Sequence, residues 1–159
     1  MGRVAQPEFI TLRVEAQYVS NNLLTKVSFN PKEDQFLCTS GQNEWKVWRF
    51  NDGQLKNAQP FSRQVPMNRK YTEHLWLDRN QIIGCTATGE MYYVEKQECM
   101  QSIDNAFMSE DNNSHVTAIQ KYSKGFFIAS DRGEVALWVR SDENNTSTGK
   151  FFYDWIRTW

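Results

Sequence analysis

An all-β fold built from repeated four-stranded units is what this sequence predicts, on three observations. First, one stretch occurs three times: Ser130-Asp131-Arg132-Gly133-Glu134-Val135-Ala136-Leu137-Trp138, Thr86-Ala87-Thr88-Gly89-Glu90-Met91-Tyr92-Tyr93-Val94 and Ser40-Gly41-Gln42-Asn43-Glu44-Trp45-Lys46-Val47-Trp48. Each reads as a strand end, a tight turn and a second strand. Second, the copies stand 46 and 44 residues apart, a period that points to a propeller or solenoid. Third, an apolar segment leads into each copy: Phe36-Leu37-Cys38, Ile82-Ile83-Gly84-Cys85 and Phe126-Phe127-Ile128-Ala129. Four short antiparallel strands per period of about 40–45 residues make one propeller blade. The expected fold is a partial β-propeller of about three such blades with an additional N-terminal strand, and helix is expected to be nearly absent.

Aligned without gaps, the copies define columns. Ser40, Thr86 and Ser130 form a hydroxyl column. Asn43, Gly89 and Gly133 take the turn position that needs positive φ, where Gly is best and Asn next. Glu44, Glu90 and Glu134 follow, and a carboxylate beside a hairpin turn is expected in solvent. Trp45, Met91 and Val135, then Val47, Tyr93 and Leu137, are apolar. Trp48, Val94 and Trp138 close the pattern. Phe29, Leu75 and Ile119 precede each hydroxyl by eleven residues. With Val47, Tyr93 and Leu137 they are the expected core.

In chain order, residues 8–16 alternate, with Ile10, Leu12, Val14 and Ala16 on one face, the pattern of a half-buried strand. Blade one covers 24–60, with Asn51-Asp52-Gly53 turning into its fourth strand. The loop from Phe61 to Tyr71 carries Arg63, Arg69 and Lys70, and reads either as a solvated connection or as a contact loop for an acidic partner. Blade two covers 73–103. Residues 105–114 form a polar loop. Blade three covers 115–159, with a polar insertion at 141–149 before a last aromatic strand. Three units leave a propeller ring open. The end faces are then expected to expose Trp45, Trp48, Trp138 or Trp155, until a longer chain, a partner or a second copy covers them.

Blade motifs resemble those of the WD-repeat proteins over roughly 25–139. Val27-Ser28-Phe29-Asn30-Pro31 is similar to that family's first strand and turn, and 130–138 to its second turn and third strand. Arg49, Glu95 and Val139 stand where the family has Asp after the Trp, and no Gly-His pair opens a blade. The family's His-Ser-Asp network is therefore expected to be absent or altered, with more of the stability resting on packing. The same segments, with Glu73-His74-Leu75-Trp76-Leu77, resemble the cilia- and flagella-associated WD-repeat proteins. That resemblance implies N-terminal propellers, a long coiled coil, and a place in the axoneme that helps position inner-arm dynein and regulatory complexes. Its partners would be axonemal, dynein-associated or microtubule-associated proteins. No coiled-coil heptads occur in these 159 residues.

Composition narrows the function. A net charge of −1 and the absence of a basic stretch argue against nucleic acid as partner. No apolar run reaches the roughly 20 residues needed to span a bilayer, and the first residues lack the apolar core of a signal peptide. Cys38, Cys85 and Cys99 are odd in number and sit in strand-like contexts, so they read as reduced thiols of a cytoplasmic protein. The three sequons at Asn112, Asn144 and Asn145 then mark polar loops rather than glycans. No metal-ligand spacing, phosphate-binding Gly loop or nucleophile elbow is present. His74 and His115 are expected at blade edges in structural roles. No catalytic, cofactor or metal residue is assigned. The expected function is a non-catalytic interaction scaffold, with a general cytosolic adaptor and an enzyme using a propeller face as the alternatives.

Overall fold

In the structure, a computed structural model, residues 2–5, 12–110 and 114–141 are described in full and 153–158 by their backbone. Among the described residues twelve strands form three antiparallel sheets of four. The first sheet holds β1 (Leu24–Phe29), β2 (Phe36–Gly41), β3 (Glu44–Asn51) and β4 (Gln54–Asn57). The second holds β5 (Tyr71–Asp78), β6 (Gln81–Thr86), β7 (Met91–Glu95) and β8 (Glu98–Ile103). The third holds β9 (Val116–Tyr122), β10 (Gly125–Ser130), β11 (Val135–Arg140) and β12 (Tyr153–Thr158). Each strand pairs with the next in sequence, so every sheet is a meander and all twelve contribute to three blades. No helix occurs among the described residues.

The hairpins follow their turn residues. Gly89 and Gly133 take φ of 79° and 81°, and Asn43 takes 52°. The second and third blades use a three-residue loop with Gly in the left-handed position. There Thr86 N donates to Glu90 O at 2.9 Å, and Ser130 N to Glu134 O at 2.9 Å. In the first blade Gly41 pairs directly with Glu44, so its loop is only Gln42-Asn43. The gapless alignment therefore slips by one residue here. Gly41, not Ser40, is the partner of Thr86 and Ser130.

Side chains alternate across a strand, and in the middle blade both sides are covered. Tyr92 and Val94 face the first blade, in a core with Trp45, Val47, Cys38, Tyr71, Trp76 and Ile82. Met91 and Tyr93 face the third, in a core with Leu77, Ile83, Phe126, Ile128, Ala136 and Trp138. All four are buried. Gly84 makes the first contact possible, because a Cβ there would meet the Trp45 indole at 2.7 Å.

Position in the row explains where burial departs from expectation. Val47, Tyr93 and Ile119 are buried, but Phe29 is 60% exposed. Leu75 and Leu137 are half-buried. Leu137 and Val135 face the side of blade three that follows it, where the described residues place no further sheet. Phe29 and Val27 lie on the side of blade one that precedes it. The large aromatics are not left outside. Trp45, Trp48 and Trp138 are 0%, 6% and 1% exposed, and the Trp155 side chain lies outside the described residues. Trp48 is covered by Tyr18, whose ring lies 4.3 Å from it.

The expected strand at 8–16 is corrected where the structure describes it. Residues 12–20 join no sheet, and Leu12 and Val14 are 90% and 79% exposed. Alternation alone lacked a partner edge to pair with. Residues 8–11 of that expected strand lie outside the described residues, as does most of the 141–149 insertion.

Candidate functional site

The polar groups between and within the blades form two systems. The first is the carboxylate column, which is not solvated as expected. Glu44 is 1% exposed. It accepts hydrogen bonds from Tyr18 (3.2 Å), Ser20 (3.0 Å) and Thr39 (3.2 Å), while Trp48 Nε1 donates to Thr39 Oγ1 at 2.8 Å. Lys46 Nζ lies 3.3 Å from the same carboxylate. It also lies 5.6 Å from the centroids of both the Tyr18 and Trp48 rings. Burial alone would push the Lys46 ammonium down, but Tyr18 and Glu44 hold it above its usual value.

Glu90 and Glu134 repeat the scheme in their blades. Thr86 and Thr88 donate to Glu90 at 3.2 and 2.8 Å. Ser130 donates to Glu134 at 2.9 Å, joined by Ser114. The backbone N–H groups of Glu90 and Glu134 return to the Thr86 and Ser130 hydroxyls at 3.1 Å. Partial burial would raise the Glu90 pKa, but hydrogen bonds from Thr88 and Arg69 outweigh it and hold the carboxyl below its usual range. A hydroxyl–carboxylate pair thus occupies each hairpin.

The second system is His74, which sits not at a blade edge but at 0% exposure between blades one and two. Its Nε2 lies 2.7 Å from Ser28 Oγ and its Nδ1 lies 2.8 Å from Ser40 Oγ. The one-residue slip of the first hairpin is what turns Ser40 toward it. Burial, with a smaller effect from Lys26, pushes the His74 pKa down to about 3. A ring that weak is neutral at pH 7 and a poor general base. His115 differs from it: its side chain is 53% exposed, and Nδ1 lies 3.4 Å from Asp131.

A threonine column, which the alignment missed, ties neighbouring blades. Thr25 Oγ1 donates to Tyr71 O at 2.9 Å, and Thr72 Oγ1 to Val116 O at 2.7 Å. Thr117, the third member, donates within its own blade to Ala129 O at 3.3 Å. The signal was a hydroxyl residue at the start of each first strand.

The cationic loop at 61–71 packs down. Val65 is buried, Tyr71 OH donates to Pro66 O at 2.7 Å, and Arg69 Nε pairs with Glu90 at 3.0 Å. Cys38 and Cys85 are free, buried thiols whose pKa is pushed up by burial. Among the described residues no group of three or more His, Cys, Asp or Glu could hold a metal ion. No helix among them is long and apolar enough to cross a membrane. Together these contacts make a hydrogen-bonded frame.

Three meander sheets packed face to face, with a network at each hairpin, can be set beside solved propellers. The β-propeller domain of Myceliophteria thermophila Cps50 (Swd1) superposes with a TM-score of 0.65 at 8% identity, over 87% of this chain and 47% of that one. The WD40 β-propeller domain of Doa1 superposes with a TM-score of 0.56 at 13% identity, over 86% and 42%. The chain has the β-propeller fold, with three blades among the described residues. Among curated proteins, mouse cilia- and flagella-associated protein 57 is 28% identical to it over 166 residues. The match covers 79% of this chain and 13% of that relative, so the chain spans only a small part of the relative's length. The motif resemblance, most nearly to protein 57 of its series, thus has a counterpart in overall sequence. No family model matches the chain. A propeller fold together with similarity to a cilia- and flagella-associated protein fits a protein-interaction role.

Proposed function

We propose that the chain is a non-catalytic WD-repeat interaction scaffold of the ciliary or flagellar axoneme, where it helps position dynein or regulatory complexes. Its partners on this reading are axonemal, dynein-associated or microtubule-associated proteins. The observation that carries the reading is the similarity to a cilia- and flagella-associated protein across most of this chain. The interior supports the non-catalytic part. Buried carboxylate Glu44 and buried His74 are both spent on hydrogen bonds inside the frame. Function on such a frame resides in its turns and loops.

The test is location. A tagged chain expressed in ciliated cells is expected to co-fractionate with axonemes and to stay with them through detergent extraction. Exclusive recovery in the nuclear or secreted fraction overturns the ciliary reading and leaves the fold untouched.

A further inference from the structure

Resting on the interaction-scaffold reading, we propose that the cleft between the second and third blades docks an acidic segment of a protein partner. The two seams of this molecule differ at their turn end. In the first seam the β1–β2 turn has six residues, 30–35, and reaches across to the second blade. Asn30 Nδ2 donates to Arg79 O at 2.7 Å, and Glu33 lies 3.5 Å from Arg79 Nε. Only about 80 Å³ of space remains there.

In the second seam the corresponding β5–β6 turn is just Arg79-Asn80, and the Arg79 guanidinium leans back to Glu33 of blade one. At this end Lys121 of blade three donates to Leu77 O of blade two, but among the described residues neither Arg79 nor Asn80 is given a contact to blade three, and a cleft of about 420 Å³ opens. That volume lies within the range of ligand-binding sites, roughly 300–1,000 Å³.

The lining decides the ligand class. Lys121, Lys124 and Arg140 contribute three cations against one carboxylate, Asp78, with Gln81 and Ser123 between them. Among the described lining residues the cations thus outnumber the carboxylates, in a chain whose net charge is −1. The walls are fixed in place: Lys121 Nζ donates to Leu77 O, and Arg140 N donates to Lys124 O at 3.0 Å. Aspartate and glutamate side chains of a partner complement such a lining in charge and in hydrogen-bonding geometry. A cleft of this size, on a chain of slight negative charge, does not supply the extended basic face that a nucleic acid requires.

Fluorescence anisotropy of a labelled octaglutamate titrated with the 159-residue chain tests this. Saturable binding is expected at about 50 mM salt, weakening steeply toward about 500 mM, with none to octaserine. The pair Lys124→Glu and Arg140→Glu should weaken it at least about tenfold, an effect of charge reversal at the docking surface. The pair Arg49→Glu and Lys56→Glu, on the first blade, should leave it unchanged. Should the first pair fail to fold, Lys124→Gln in the exposed turn is expected to weaken binding alone. Absence of saturable binding, equal binding by the cleft variants, or tighter binding of an oligothymidylate of equal length overturns the proposal. Axonemal co-fractionation that survives the cleft variants would remove this inference and spare the scaffold reading.

Discussion

His74 makes the first inter-blade seam acid-sensitive. The ring is fully buried, and its two nitrogens face the neutral hydroxyls of Ser28 and Ser40. Its pKa in the folded chain is down at about 3, against about 6.5 when unfolded. Between those values the unfolded chain binds one proton more than the folded chain, so stability rises with pH there. The contribution is complete above pH 6.5 and is lost as pH falls from 6.5 toward 3. The slope is at most about 1.4 kcal/mol per pH unit, so moving to pH 5 should cost about 2 kcal/mol. That is a large share of a typical total of about 5–15 kcal/mol. Urea melts of the wild type and of His74→Gln at about pH 7.5 and pH 5 read it directly. The wild type should lose about 2 kcal/mol more than the variant between the two. Equal losses would mean that the imidazole titrates normally and that the seam is wet.

Four further outcomes follow from the packing. Gly84→Ala should cost about 1–3 kcal/mol in a denaturant melt, because the added methyl meets the Trp45 indole; an unchanged midpoint would refute that contact. Thr72→Val should cost about 1 kcal/mol by removing the bond to Val116 O, whereas Thr117→Val should stay within about 0.5 kcal/mol; equal losses would deny the latch between blades. Ile128→Ala, at a 1% exposed site, should cost about 2–5 kcal/mol, and half-buried Leu137→Ala clearly less; the reverse order would misplace the third blade's packed face. Light scattering of the purified chain should show association that grows with concentration, since Val27 and Phe29 are 63% and 60% exposed on one strand; a monomer at all concentrations would mean that this strip is covered.

Much of the architecture was legible, because turns and strands are local. Gly89, Gly133 and Asn43 announce their left-handed turns by residue type alone, and the apolar runs between them have strand length. Which side of a strand is covered is not local. The period-2 pattern puts Val135 and Leu137 on one side and Ala136 and Trp138 on the other, but only the neighbouring sheet decides that the second pair is the buried one. The same limit hid the exposure of Phe29. The slip at Ser40 was invisible because Gly41 and Ser40 both suit a hairpin end, and a one-residue change in loop length moves every residue before the turn by one column. The burial of Glu44 was misread for a related reason. Glu44 is buried by hydroxyls from Tyr18 and Ser20, more than twenty residues away in sequence.

The carboxylate column also bears on how such a frame can acquire a function. A buried carboxylate is tolerable only when it is paired or hydrogen-bonded, and here each blade supplies its own hydroxyl donors: Thr39 for Glu44, Thr86 for Glu90, Ser130 for Glu134. Each hairpin carboxylate therefore has a donor from its own blade, and the seams are closed by packing, by the Thr25 and Thr72 hydroxyls and, in the first seam, by His74. None of these contacts uses the turns at the opposite end of the sheets. Those turns can change length without disturbing the frame, as surface connections generally can. The turn at 30–35 and the turn at 79–80 show the consequence within one molecule. The longer turn seals its seam with Asn30 and Glu33, and the shorter one leaves a cationic cleft. A recognition surface on this chain thus arises from a difference in turn length, with the sheets beneath it held constant.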